Sequence, residues 1–181
     1  MSRWMLWTLA GLILGGIVHL ATILVLPRTA TRDAYARLAA MTPVNAVTPI
    51  PAPTPGVAAV PFMDPAFAVA VCRYDLAGGP MKLTAPVSQA YTSVTFYTRR
   101  GVAYYGINAR AAGRRQIELD LMTTPQHDAM PEEADVTAAD RLIIESPTET
   151  VLIVLRTLSP EPSLMPMARA ALAGARCRTV Q

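Results

Sequence analysis

Hydrophobic and polar positions divide the chain into an apolar N-terminal run, a proline-rich stretch and a longer part with alternating patterns. Residues 4–26 contain no charged side chain and consist mainly of Leu, Ile, Val, Ala and Trp. As an α-helix this run is about 34 Å long, which is enough to cross a hydrocarbon core of ~30 Å. Pro27 follows and is predicted to end the helix. Residues 1–27 are therefore predicted to form a transmembrane helix that anchors the protein.

A cleaved signal peptide is the alternative interpretation of this segment. Signal peptides usually have an apolar core of ~7–15 residues and small residues at the cleavage site. Here the core is longer, and Arg28 lies where a small residue is needed. We therefore favour an uncleaved signal anchor in the cell inner membrane.

Prolines dominate the segment between the anchor and the remaining chain, residues 28–60. They recur at positions 43, 49, 51, 53 and 55. Proline fixes φ and lacks an amide donor, so this stretch is predicted to be extended and polyproline-like. A short juxtamembrane helix is predicted before it, within residues 33–41. The segment is interpreted either as a spacer or as a chain that packs along the domain surface.

From residue 61 onward the pattern changes to short strands separated by Gly, Pro and charged turns. The clearest example is residues 116–122, where Ile and Leu alternate with Glu and Asp, as in a half-buried strand. A final helix is predicted from Ser163, its cap, to about Cys177. Because the strands come together and the helix comes last, residues 61–181 are predicted to form a mainly-β (α+β) domain, an antiparallel sheet or sandwich. About seven strands are expected, at residues 67–74, 81–83, 91–98, 102–107, 116–122, 141–145 and 151–158.

The net charge of +3 does not belong to this domain. Arg3, Arg28, Arg32 and Arg37, set against Asp33, already supply all of it. In the rest of the chain positive and negative side chains balance. The domain therefore lacks the basic field of a nucleic-acid-binding protein, and no nucleic-acid partner is expected.

Two arguments oppose each other on the side of the membrane that holds the domain. More arginines follow the apolar helix than precede it, which favours a cytoplasmic domain. However, short tails before a strong apolar segment commonly insert as signal anchors, and the two cysteines lie where a disulfide would be useful. We expect the domain on the periplasmic side, against the charge rule.

Cys72 and Cys177 are the two cysteines of the chain. The first lies on the first predicted domain strand and the second at the predicted end of the final helix. A disulfide between them would fasten the C-terminus to the sheet, whereas two buried thiols are expected if the domain is cytoplasmic. We predict the disulfide.

One face of the apolar helix carries small and polar residues. Its members are three or four positions apart, which places them on one side of a helix: Thr8, Gly11, Gly15, His19 and Thr22. Small residues allow a second helix to approach closely, and a buried imidazole needs a hydrogen-bond partner. The pattern predicts a face for pairing with another membrane helix, in a homo- or heteromeric complex. The alternative is chance spacing in an apolar segment, with His19 bonded to a backbone carbonyl.

Several short runs in the domain carry a family resemblance. Residues 61–67 (PFMDPAF), 74–76 (YDL), 79–80 (GP), 85–86 (AP), 91–97 (YTSVTFY) and 146–158 resemble the domain of unknown function 1254 family of bacteria. The resemblance covers roughly residues 61–172, in a compact, membrane-anchored form. The family usually has Asn, Thr and Tyr where this chain has Phe62, Pro65 and Phe67, so that only Asp64 remains of this polar set. The resemblance implies a β-rich fold and a companion domain of unknown function 1214, fused or on a separate protein, and it implies no reaction.

No catalytic or metal-binding motif is recognisable. His127 is the one histidine outside the apolar helix, and no Gly-x-Ser-x-Gly elbow accompanies it. The group of His127, Asp128, Glu132 and Glu133 is interpreted as a solvated loop, because zinc ligands are spaced more tightly. We predict no catalytic residue, no metal site and no cofactor.

Arg156 is unusual because it interrupts an apolar strand. It is predicted to lie on the solvated face, or to share a pocket or a buried ion pair with Asp64. Two functions follow from the sequence. We favour a non-catalytic envelope subunit or assembly partner in a membrane complex; the alternative is a membrane-tethered enzyme or small-ligand-binding domain with a pocket around Asp64 and Arg156.

Overall fold

The computed structural model describes residues 2–29, 33–112, 116–130 and 142–180, which belong to two separate units. The first unit contains helix α1, Arg3–Thr29, whose described side chains are all exposed. By length and composition α1 is long and apolar enough to cross a membrane, with a mean hydropathy of 2.4. Pro27 lies in its last turn and the helix continues to Thr29, so the predicted end was two residues early. A proline there removes one backbone hydrogen bond and leaves the preceding turns intact.

The second unit is a domain of two β-sheets. Its elements are α2 (Ala34–Ala39), β1 (Ala46–Ile50), β2 (Phe67–Asp75), β3 (Met81–Pro86), β4 (Thr92–Thr98), β5 (Ala103–Asn108), α3 (Ala109–Ala112), β6 (Gln116–Thr123), α4 (Thr124–Asp128), β7 (Leu142–Ser146), β8 (Thr150–Leu158), α5 (Met165–Ala173) and β9 (Arg176–Thr179). The five-stranded sheet has the order β1-β2-β8-β4-β5 and is antiparallel throughout. The four-stranded sheet has the order β7-β6-β3-β9, with β6 and β7 parallel. An N-terminal apolar helix, a mainly-β domain and a C-terminal helix confirm the predicted fold class.

The main hydrophobic core lies between the inward faces of the two sheets. Strands β3 and β4 alternate buried and half-buried residues, as period-two sequences do when one face is covered. Both sheets contribute to one cluster, and Ala168 and Leu172 of α5 join it. The largest fully buried side chains of this cluster are Tyr74, Phe96, Leu76, Met81, Leu83, Ile117, Leu119, Leu121, Ile153 and Leu155.

The sequence analysis missed two strands, β1 and β9, and both lie at sheet edges. Strand β1 contains Pro49, which cannot donate to a neighbouring strand and is tolerated at an edge. Strand β9 occupies residues that were predicted to end the final helix. That helix ends instead at Ala173, and the amide of the following Gly174 donates to the carbonyl of Ala171 at 3.2 Å. Cys177 therefore lies on a strand that pairs with β3, and its predicted place on a helix was wrong.

The segment from 28 to 60 does not act throughout as an extended spacer, because part of it belongs to the domain. Its strand β1 pairs with β2 over five residues. Leu38 of α2 and Ile50 of β1 are buried against Val71 and Leu152, on the outer face of the five-stranded sheet. Of the two interpretations of this segment, the structure agrees with packing along the domain.

Arg73 of β2 attaches the start of this segment to the sheet. Its Nε atom donates to the carbonyl and to the hydroxyl of Thr42, at 3.1 and 2.9 Å. Its guanidinium lies 5.5 Å from the centre of the Tyr35 ring, and that of Arg99 lies 4.1 Å from the same ring. Cation–π contacts and hydrogen bonds together hold α2 against the domain.

Candidate functional site

Cys72 and Cys177, the pair predicted to form a disulfide, are joined in the structure. Their Cα atoms are 6.7 Å apart, and both side chains are buried in the main core. Cys72 lies on β2 of the five-stranded sheet, whereas Cys177 lies on β9 of the four-stranded sheet. The bond therefore links the two layers of the domain across the core.

The small and polar residues of α1 form an exposed row. The hydroxyls of Thr8 and Thr22 donate to backbone carbonyls one turn earlier, at 3.0–3.1 and 2.8 Å. A methyl group added at Gly11 or Gly15 would meet nothing within 4 Å, and His19 is exposed. The structure therefore leaves this face free to take a second helix, and its role in pairing stays a prediction.

Asp64 and Arg156 do not form the predicted buried ion pair. Both residues are exposed. An Oδ1 atom of Asp64 accepts from the amide of Ala66 at 2.9 Å, and its carbonyl accepts from the amide of Phe67 at 3.2 Å. Asp64 thus builds the turn that leads into β2, which is the usual use of Asp in such a position. The prediction of a pocket shared by Asp64 and Arg156 is also wrong, because Asp64 does not line the pocket at Arg156.

Arg156 lies on the outer face of β8, the central strand of the five-stranded sheet. It is directly opposite Val69 of β2 on one side and Ser93 of β4 on the other. Ser93 is in turn opposite Asn108 of β5. Directly opposed residues point to the same side of a sheet, so these four side chains form a row across four strands.

A pocket of about 420 Å³ includes three members of this row, Ser93, Asn108 and Arg156. Ser93, Thr95 and Asn108 provide neutral polar groups on one side of Arg156, and Phe67 and Tyr91 provide aromatic surface. The pocket is lined by Phe67, Tyr91, Ser93, Val94, Thr95, Gly106, Ile107, Asn108 and Arg156. Among these residues Arg156 is a cation and none is acidic.

The predicted polar loop at His127 is a short helix, α4. The side chain of Gln126 accepts from the amide of Thr123 at 2.9 Å and closes a capping box. Glu145 accepts from the hydroxyl of Thr124 at 2.8 Å and lies 3.0 Å from Nδ1 of His127. The Thr124 hydrogen bond, followed by that of His127, lowers the pKa of Glu145.

Glu132 and Glu133, which the sequence groups with His127, lie outside the described residues. Within the described part of the chain, no group of three His, Cys, Asp or Glu side chains could hold a metal ion. The contacts of His127 and Glu145 instead connect α4 to β7.

The extent of the domain now permits a comparison with known families. The sequence pattern of the family described as "Protein of unknown function (DUF1254)" matches residues 44–179. The chain belongs to this family. The matched part begins before β1 and includes β9, so the two strands that sequence analysis missed lie inside the family domain.

Two solved structures of longer proteins share this fold. The VPA0106 protein of Vibrio parahaemolyticus is similar over 81% of this chain and 34% of its own, with 12% identity and a TM-score of 0.60. An uncharacterised protein of Burkholderia cenocepacia is similar over 76% of this chain and 35% of its own, with 13% identity and a TM-score of 0.50. This chain therefore spans about a third of the length of these two proteins. No curated protein sequence matches the chain.

Sequence analysis identified Arg156 but missed its neighbours. The outward-facing residues Ser93 and Thr95 alternate with the buried Val94 and Phe96, and this alternation is visible in the sequence. It could have placed both hydroxyls on the solvated face of their strand. It could not have placed them beside Arg156, because that requires the strand order.

Proposed function

We propose that this protein is a single-pass membrane protein of the cell envelope, in which α1 anchors the β domain. The observation that carries the proposal is the long apolar helix, whose described side chains are all exposed in the first unit. Apolar surface of this extent is stable in a bilayer and costly in water. Anchoring by α1 gives this surface a hydrocarbon environment.

The disulfide supports an extracytoplasmic position for the domain. Cys72 and Cys177 are oxidised in the structure, and disulfides persist in the periplasm but are rare in the cytoplasm. We therefore propose the periplasmic side of the inner membrane, although the arginines that follow the helix oppose it.

The role that we propose is that of a non-catalytic subunit or assembly partner. The row of Thr8, Gly11, Gly15, His19 and Thr22 supports this role, because small residues along one face allow a second helix to approach closely. A protein that carries the companion domain of unknown function 1214 is one candidate partner, and a second copy of this chain is another.

Reporter fusions to the C-terminus of the full chain test the anchor and the orientation together. Alkaline phosphatase should be active and green fluorescent protein dark, and the full-length fusion should stay in the membrane after an alkaline wash. As a matched control, a version with α1 replaced by a cleavable signal peptide should be released as a soluble periplasmic protein.

Two results would contradict the proposal. A dark phosphatase fusion and a fluorescent green fusion would place the domain in the cytoplasm. A shortened, soluble product from the unaltered chain would show that α1 is a cleaved signal peptide. Mass spectrometry of the purified chain separates this second case from an intact anchor.

A second function, small-ligand binding, is favoured by one specific observation, the pocket at Arg156. It is compatible with the anchored role, because the pocket is lined by residues of the domain alone.

A further inference from the structure

The outer face of the five-stranded sheet is covered at one end and open at the other. Helix α2 and residues 59–63 pack over Val71 and Leu152 and bury that end. At the other end the sheet carries Arg156 and the pocket around it. The domain therefore covers apolar positions of this face and leaves the polar ones accessible.

The open end offers hydrogen-bond donors around a single positive charge. Ser93 and Thr95 line the same pocket as Arg156 and carry hydroxyl groups, and Asn108 is held in place because its Oδ1 atom accepts from the amide of Ala111 at 2.9 Å. Among the residues that the structure describes, Arg156 has no ion pair, and no lining residue is a carboxylate. The charge of Arg156 is thus available to a ligand.

A guanidinium presents a planar fork of N–H donors that matches the two oxygens of a carboxylate. Among the residues that line the pocket Arg156 is the one cation, and a single cation matches a single negative charge better than a phosphate dianion. At the other end of the pocket, Phe67 and Tyr91 supply aromatic surface for an apolar body. A volume of about 420 Å³ is in the lower part of the range for small-molecule sites, roughly 300–1,000 Å³.

We propose that this pocket binds a small aromatic monocarboxylate. Arg156 holds the carboxylate, Ser93 and Thr95 donate additional hydrogen bonds, and the ring of the ligand lies against Phe67 and Tyr91. The pocket is lined by residues of the domain alone, so this binding proposal can be tested whether or not α1 anchors the protein in a membrane.

Gly106 keeps the pocket open and provides a way to close it. It is an exposed position in the interior of β5, where a glycine weakens a strand and often marks a close approach by a ligand. A Cβ atom at Gly106 would lie 3.9 Å from the carbonyl of Val94 and 4.0 Å from the hydroxyl of Thr95, which are ordinary contacts. A larger side chain can therefore enter the pocket without straining the backbone.

Ligand-observed NMR on the full chain in detergent micelles tests the proposal with phenylacetate as the probe. Phenylacetamide, which has the same ring and no charge, serves as the reference ligand. Phenylacetate should bind saturably, and at least about tenfold more tightly than the amide, because a charge-assisted hydrogen bond typically contributes this much or more.

Matched variants identify the site. Arg156→Gln should weaken phenylacetate binding at least about tenfold, and Gly106→Leu should abolish it by filling the pocket. Arg178→Gln on β9 removes an exposed charge elsewhere, and Gly78→Leu adds the same bulk where a Cβ meets nothing within 4 Å. Both should bind phenylacetate like the parent, and unchanged near-ultraviolet circular dichroism should show that all variants are folded.

Three outcomes would overturn the proposal: no saturable binding of phenylacetate, equal binding of the amide, or parental affinity in folded Arg156→Gln. If Arg156→Gln fails to fold, Gly106→Leu decides the question, because parental affinity in that variant places the ligand elsewhere.

Discussion

Reduction of the disulfide between Cys72 and Cys177 is expected to destabilise the domain strongly. The bond closes a loop with a sequence separation of 105 residues. In the chain-entropy description, cross-linking a loop of this length removes enough freedom from the unfolded chain to stabilise the native state by about 4.7 kcal/mol. For a domain of this size that corresponds to a fall in Tm of about 10–20 °C on reduction.

The position of the bond explains why the native fold should persist after reduction at temperatures below the lowered Tm. Each cysteine lies on a strand whose other inward residues belong to the main core, so the sheets remain packed by apolar contacts when the bond is cut. Reduction keeps both sulfur atoms in place and leaves the core nearly filled. The loss should therefore appear in stability and not in native secondary structure.

The assay must report on the domain and not on α1. Both tryptophans, Trp4 and Trp7, lie in α1, so intrinsic tryptophan fluorescence is unsuitable. Near-ultraviolet circular dichroism of buried tyrosines such as Tyr74 follows the core directly. Thermal unfolding of the full chain should be compared with and without reductant, together with a variant in which both cysteines are Ala.

The double Ala variant should be less stable than the oxidised parent and should not respond to reductant, whereas the parent should. A parent with the same Tm in both conditions would refute the entropic argument. Two reactive thiols in the unfolded, unreduced protein would show that the bond does not form, and would also weaken the periplasmic assignment.

Two further predictions concern the helix face and the core. Replacing Gly11 or Gly15 by Ile, or His19 by Leu, should weaken helix association in a membrane two-hybrid assay, with a loss of ~1–2 kcal/mol for His19. Leu12→Ile on another face is the control and should have no effect. Equal association of all variants would mean that the spacing is coincidental. Burial raises the pKa of Tyr104 to about 12. The free energy of unfolding of the domain should therefore fall as the pH rises from about 10 towards 12, because the unfolded chain ionises this phenol first. In denaturant titrations Tyr104→Phe should make this fall with pH less steep. An equally steep fall in the variant would contradict the raised pKa of Tyr104.

Strands with one covered face were predictable because their burial follows from side-chain alternation. In β4, Val94 and Phe96 point into the core and are flanked by polar residues that do not. The same alternation is present in the sequence of β6, whereas β2 and β8 are mainly apolar runs. Alternation and apolar runs together therefore identified the strands that make the layers of the core.

The edge strands β5 and β7 were predicted, whereas the edge strands β1 and β9 were not predictable by this route. Strand β1 contains Pro49 in a proline-rich segment. Such a segment indicates an extended chain, but it does not indicate that this chain pairs with a neighbouring strand. Strand β9 has the sequence Arg-Cys-Arg-Thr and buries only Cys177 of its four residues. Both β1 and β9 have one hydrogen-bonded neighbour and a weak hydrophobic pattern, so their pairing is decided by the completed sheet.

The candidate site shows where the limit of local patterns lies. Leu155 and Thr157 are buried, and a slip of one residue in β8 would send Arg156 into the core and Leu155 out of it. The cost of burying an unpaired charge therefore favours the outer face for Arg156, one of the two positions that the sequence left open. Its neighbour Ser93, however, is brought there by β4, which precedes β8 by more than fifty residues in the chain and lies next to it only in the final strand order. Asp64 was predicted as a partner of Arg156 because opposite charges attract. Its Oδ1 atom and its carbonyl oxygen instead accept hydrogen bonds in the turn before β2. The strands next to β8 give Arg156 uncharged neighbours. An exposed arginine in a central strand, with no carboxylate lining its pocket, is thus the product of long-range register, and that is why its neighbours require the structure.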